Sequence, residues 1–150
     1  MRGRYLEDFA VGDRIATAEA VVTEDMIVEF AGVYDPQPFH VDPAAARHSI
    51  YGGLIASGFQ TLALGFRLVW DTGLFDGTSM GSPGFDELRW VRPFRPGDRL
   101  DVIGEVLEQR PSSSKPDRGL IRIFFRYVNQ NGEDVLTMRS MHLFKRRPAA

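Results

Sequence analysis

The spacing of apolar residues changes character along the chain. From Ile15 to Val22, IATAEAVV alternates imperfectly and predicts a strand. It ends at Thr23, a good N-cap followed by Glu24 and Asp25, acids that suit the positive end of a helix. In TEDMIVEFAGVYD the apolar residues Ile27, Phe30, Ala31 and Tyr34 recur at helical spacing, which predicts a helix laying one face on the rest of the protein. Pro36 and Pro38 lack amide hydrogens and push the preceding residues away from helical geometry. Positions 35–38 are therefore predicted to be stiff, extended or turning, and the segment carrying His40 non-helical.

A short helical patch at PAAARHS, with Asp42 as N-cap and Pro43 at its first position, leads to LIASGFQTLALGFRLVW. That stretch is apolar nearly all round, interrupted by Ser57, Gln60, Thr61 and Arg67, and predicts a helix buried on most sides. The arginine and the shortness of the apolar runs argue against a bilayer span. After DTGLFDGTSMGSPG, four stretches rich in β-branched and aromatic residues mostly alternate: FDELRWVRPF, RLDVIGEVLEQ, LIRIFFRYVNQ and DVLTMRSMHLFKR. Asn131-Gly132 predicts a hairpin between the last two, RPGD a turn between the first two, and PSSSKPDRG an exposed loop. The pattern predicts an α+β domain in which one long antiparallel sheet curls around the single very apolar helix.

With 150 residues, 43% hydrophobic and 25% charged, the chain has material for one ordinary domain over residues 1–150. A formal net charge of -2, with arginines and acids interspersed, offers no basic stripe for a phosphate backbone, so no nucleic-acid partner is expected. The absence of cysteine removes disulfides, thiolate nucleophiles and thiolate metal sites together. MRGRYLEDFAVGDRI lacks the apolar core of a secretory signal, and a cytoplasmic location is expected. Three scattered histidines without H-E-x-x-H or a carboxylate cluster give no metal signal, and neither a dinucleotide-binding loop nor a G-x-S-x-G elbow is present. His48 and His142 read as structural, on a surface turn and in a strand. Trp70 and Trp90 read as core or subunit interface.

Chemistry concentrates in YDPQPFHVD, residues 34–42. Asp35 sits at a helix exit and His40 follows five residues later, a spacing that would not align them on a helix, where partners come three or four apart. On a proline-stiffened turn the two can point into one cleft as a general acid and base, with little conformational entropy left to lose. Taken alone, such a pair is more often structural, a helix-ending residue and a satisfied imidazole.

The wider sequence changes that weighting. DPQPFHVDPAAA, followed by YGGLIASGFQTLAL and later VRPFRPGDRL, resembles the hydratase 2 motif of the MaoC-like dehydratases, (R)-specific enoyl-CoA hydratases of the hotdog fold, and the resemblance covers nearly the whole chain. The family pattern of Asp, any residue, Asn, Pro, aliphatic, His, any residue, Asp is read here at Asp35, Pro36, Gln37, Pro38, Phe39, His40, Val41 and Asp42. The resemblance implies reversible addition of water to a trans-2-enoyl-CoA. Asp35 and His40 are the implied catalytic pair, and the amide of Gly58, in the first turn of the central helix, the donor to the thioester oxygen. It further implies Ser57 and Gly53 beside the substrate, no metal or redox cofactor, CoA as part of the substrate, and at least a homodimer. A glycine at a helix N-terminus suits an oxyanion on physical grounds as well.

Three positions depart from the pattern: Gln37 where the family usually has asparagine, Ser57 where many members have histidine, and Phe66 where some carry a serine near the catalytic carboxylate. A thioesterase of the same fold and, through Gln37 and Phe66, a catalytically silent acyl-thioester binder stay open as alternatives. Arg47, Arg92 and Arg95 are candidates for the CoA phosphates, each equally readable as a solvated charge.

Overall fold

In the computed structural model, which describes residues 3–150, the first helix, α1, spans Glu24–Tyr34. The Thr23 hydroxyl accepts from the Met26 amide at 3.2 Å, as an N-cap should. Ile27 and Ala31 are buried and Phe30 half-buried, but Tyr34 is exposed and leans on Phe30 with ring centroids 5.1 Å apart. The buried face is thus narrower than the apolar spacing predicts. His40 lies in a helix after all: α2, Pro38–Val41, is one turn long, and only residues 35–37 remain non-helical. Pro38 opens it, at the helical position where a missing amide hydrogen costs nothing. In α3, Pro43–Arg47, the Asp42 carboxylate accepts from the amides of Ala44 and Ala45 at 2.9 and 3.2 Å.

The strands are β1 (Arg14–Ala16), β2 (Ala20–Val21), β3 (Gly84–Trp90), β4 (Arg99–Pro111), β5 (Arg118–Val128) and β6 (Asp134–Lys145). They form an antiparallel sheet in the order β1-β4-β5-β6-β3, with β2 also on β4. The strand predicted over 15–22 is therefore two pieces, parted at 17–19, where the Thr17 hydroxyl accepts from the Val102 amide at 2.9 Å. The Asn131-Gly132 hairpin forms between β5 and β6, with Gly132 at φ 73°, in the left-handed region that favours glycine. The RPGD turn forms too, the Asp98 carboxylate accepting from the Arg95 amide at 2.9 Å. The strands it links are not neighbours, because β3 pairs with β6 at the far edge. Residues 91–98 consequently cross the end of the domain, and on the way the Phe94 carbonyl accepts from the Ala56 amide at 2.8 Å.

Helix α4, Gly58–Asp71, packs on the sheet through Thr61, Gly65 and Leu68. Gly65 leaves room for the ring of Tyr127, whose hydroxyl donates to the Leu62 carbonyl at 3.1 Å. On β5 the buried residues Ile121, Ile123, Phe125 and Tyr127 alternate, as one covered sheet face requires. The expectation that α4 is buried on most sides needs correction. Phe59, Phe66 and Trp70 keep 61%, 40% and 48% of their surface exposed, since the sheet covers only one side of the helix. Trp70 and Trp90 both lie outside the core of the chain. Among the described residues no helix is long and apolar enough to cross a membrane.

His142, on β6, is buried beside Phe75, Phe125 and Phe144, with Nε2 2.8 Å from the Ser140 hydroxyl. Burial lowers its pKa from 6.5 to about 4. The unfolded chain therefore takes up a proton that the folded chain refuses, and stability present above pH 6.5 is lost as pH falls towards about 4. The loss amounts to roughly 3 kcal/mol at 1.36 kcal/mol per pKa unit. In urea titrations between pH 7 and pH 4, His142→Leu is expected to lose about that much less stability than the parent. Parallel losses would assign the acid sensitivity to other groups.

Candidate active site

The end of α1 and the turn of α2 build one corner of the site. The Asp35 amide closes the last turn of α1 on the Ala31 carbonyl at 2.8 Å, Pro36 stops the helix, and the Gln37 amide returns to the Asp35 carbonyl at 2.8 Å. One turn later α2 brings His40 back beside Asp35, with His40 Nε2 3.2 Å from Asp35 Oδ2. His40 Nδ1 lies 2.7 Å from the Ile55 carbonyl oxygen, which can only accept, so Nδ1 carries a proton. The segment bearing Ile55 is itself stitched to α2, its amide donating to the Phe39 carbonyl at 3.1 Å.

The carboxylate is held on both oxygens. Gln37 Nε2 donates to Oδ1 at 2.7 Å, and the Ser57 hydroxyl donates to Oδ2 at 2.8 Å. Burial pushes the Asp35 carboxyl up, but these two hydrogen bonds and the charge of His40 outweigh it and hold the pKa below its ordinary value. Asp35 is therefore ionised at neutral pH. With Nδ1–H committed to Ile55, His40 turns Nε2 towards an ionised carboxylate. Two acceptors 3.2 Å apart are satisfied by a shared proton or by a water donating to both. That arrangement can bind a water and take a proton from it.

A cleft of about 540 Å³ opens on this pair, with Gly58, Phe39, Phe59 and Trp90 among its walls. Gly58 is the first residue of α4, where a helix leaves amides without intrahelical partners and presents its positive end. A Cβ there would come within 2.5 Å of the Trp90 indole, whose Nε1 donates to the Gly58 carbonyl at 2.9 Å. Asp35, His40 and Gly58 thus share one cleft.

Of the other sequence candidates, Arg92 alone lines this cleft. Ser57 is fully buried, capping α4 by accepting from the Phe59 amide at 3.3 Å while bonding Asp35, so its side chain supports the carboxylate. Gly53 is not part of the cleft wall. It lies beside the Arg95 guanidinium, which donates to the Tyr51 carbonyl at 2.6 Å. Arg92 reaches the cleft but pairs with Glu133 at 3.2 Å, and Arg47 is exposed on the last turn of α3. Phe66, eight residues along α4 from Gly58, stacks on Phe75 with centroids 5.7 Å apart; the hydroxyl at the carboxylate is supplied by Ser57. Sequence reasoning missed Gln37 as a donor to Asp35, the Ile55 carbonyl and Trp90. A serine directly before an apolar helical run is an N-cap signal that locates Ser57, but a backbone carbonyl leaves no trace in the sequence.

Comparison with known proteins adds three relatives and a family. The model of the MaoC like domain matches residues 8–118. The crystal structure of the MaoC-like dehydratase from Rhodospirillum rubrum is 44% identical with a TM-score of 0.91, covering 98% of this chain and 100% of that one. R-hydratase PhaJ1 from Pseudomonas aeruginosa is 28% identical with a TM-score of 0.77, covering 95% of this chain and 86% of that one. Mesaconyl-CoA hydratase from Cereibacter sphaeroides is 26% identical over 151 residues, 99% of this chain and 43% of that protein.

Proposed function

The chain belongs to the MaoC-like domain family and has the hotdog fold of its hydratases, and from that premise we propose that it reversibly adds water to a trans-2-enoyl-CoA, giving R stereochemistry at carbon 3. The observation that carries the reading is the 3.2 Å pair of Asp35 and His40, each braced on its remaining polar atoms and both facing the cleft with Gly58. A water donating to the pair gives up a proton to it as its oxygen bonds to carbon 3. The π electrons move through carbon 2 onto the thioester oxygen, where the Gly58 amide donates to the developing charge. Return of a proton to carbon 2 closes the reaction. An oxyanion donor of this kind is worth about 10²- to 10³-fold in rate. Hydration balances with water alone, so the proposal needs no metal or redox cofactor.

The apolar walls Phe39, Phe59 and Trp90 suit an acyl group. The uncovered side of α4, with Phe59, Phe66 and Trp70 exposed, suits a second copy of the chain, and a homodimer is part of the proposal. The test is a panel of enoyl-CoA thioesters from four carbons upward, branched and dicarboxylic acyl groups included. The expected result is loss of the ultraviolet absorbance of the conjugated thioester without release of free thiol. Free CoA with the alkene intact would mean a thioesterase, and neither signal would mean a silent binder.

A further inference from the structure

Trp90 stands where an edge strand meets the first turn of α4. It is the last residue of β3, opposite Leu136 of β6. Between Asp86 and Arg89 the pairing of these strands slips, and Glu87 has a φ of 52°, in the left-handed region that side chains other than glycine rarely enter. A bulge of this kind re-aims the residues that follow it. Here it delivers the indole to α4. Nε1 donates to the Gly58 carbonyl at 2.9 Å, the ring fills the space a Gly58 Cβ would take, and its edge meets the Phe59 ring with centroids 6.3 Å apart. Trp90 is 47% exposed, so hydrophobic burial alone does not account for its placement, yet the single donor of its ring is spent on one backbone carbonyl.

We propose that Trp90 is a positioning residue for the oxyanion donor. By holding the Gly58 carbonyl and packing against its Cα, it fixes the peptide groups on either side of that Cα and so keeps the Gly58 amide in one orientation at the cleft wall. Gly58 is glycine because the indole occupies the place of a side chain. The consequence for catalysis rests on the hydration reading, whereas the holding of Gly58 does not.

Two variants separate these levels: Trp90→Phe keeps a ring and drops the donor, and Trp90→Leu drops both. In the parent, the ¹⁵N order parameter of the Gly58 amide is expected near 0.85, falling towards about 0.6 in both variants. With an enoyl-CoA substrate, kcat is expected to fall about 10-fold in Trp90→Phe and about 10²-fold in Trp90→Leu, within the range for a weakened oxyanion donor. In Trp90→Phe, which keeps an aromatic ring in the cleft wall, KM should stay within about threefold, and in both variants the pH profile should not move, since Asp35 and His40 are untouched. A conjugated dienoyl-CoA bound to the parent should show a red-shifted absorbance from polarisation of its carbonyl, and the shift should shrink in Trp90→Phe. An unchanged order parameter in both variants overturns the proposal, as does a mobile Gly58 with undiminished kcat. If the parent hydrates no enoyl-CoA, the hydration reading fails by itself and the order parameters still decide whether Trp90 holds Gly58.

Discussion

Asp35→Asn is expected to lower kcat for hydration by roughly 10²- to 10⁴-fold, the range for removing a general acid or base, with little change in KM. The substitution is nearly isosteric, and its amide can donate to His40 Nε2 across the 3.2 Å gap, so the site keeps its shape. What it loses is the negative charge and the ability to accept a proton from water. The pH dependence sharpens the test. Hydrogen bonds from Gln37 and Ser57 and the charge of His40 prevail over burial and depress the Asp35 pKa, so the carboxylate stays ionised into more acid solution than an ordinary aspartate. Parent activity that depends on ionised Asp35 should persist below the usual carboxylate range and be lost as pH falls through the depressed value. The stability contributed by this group follows the same sign: it is present above the unfolded value near 3.9 and disappears as pH falls through the folded one. Near-parent rates in Asp35→Asn, measured from pH 4 to 8 on a four-carbon enoyl thioester, would remove Asp35 from the mechanism.

How much of this was legible in the sequence depended on how local each signal was. The Thr23 cap, the Asp42-Pro43 start of α3 and the Asn131-Gly132 turn are each specified within four residues, and each forms as read. The pairing of β3 with β6 is a relation between distant segments, and the turn between β3 and β4 suggested adjacency that the sheet does not have. Two prolines close together read as a helix breaker, whereas Pro38 in fact starts a turn of helix. An apolar helix likewise does not state how many of its sides are covered from within its own chain. At the site, Asp35 and His40 were visible because nine residues contain both. Ser57 is 22 residues from Asp35, and the family resemblance set it beside the substrate without tying it to the carboxylate. Gln37 reads as a mismatch to the family pattern, yet it reaches back two residues to the carboxylate it braces.

His40→Asn is expected to cost hydration about 10²-fold or more while leaving the fold intact, and His40→Ala to cost both. The distinction follows from the two jobs of the imidazole. Nδ1 donates to the buried Ile55 carbonyl at 2.7 Å, tying α2 to the segment that precedes α4. An asparagine amide, whose nitrogen stands as many bonds from Cβ as Nδ1 does, can make that bond, but alanine leaves the carbonyl unpaired at a cost of roughly 1–3 kcal/mol, readable as a lower urea midpoint. Nε2 faces Asp35 and takes part in moving the proton, and neither substitute can do that. The double variant Asp35→Asn/His40→Asn then tests whether the residues work on one water. If they do, its rate should lie within a few-fold of the slower single variant, because the second substitution removes something already lost. Multiplying losses would mean that the two groups act in separate steps and hold no water jointly.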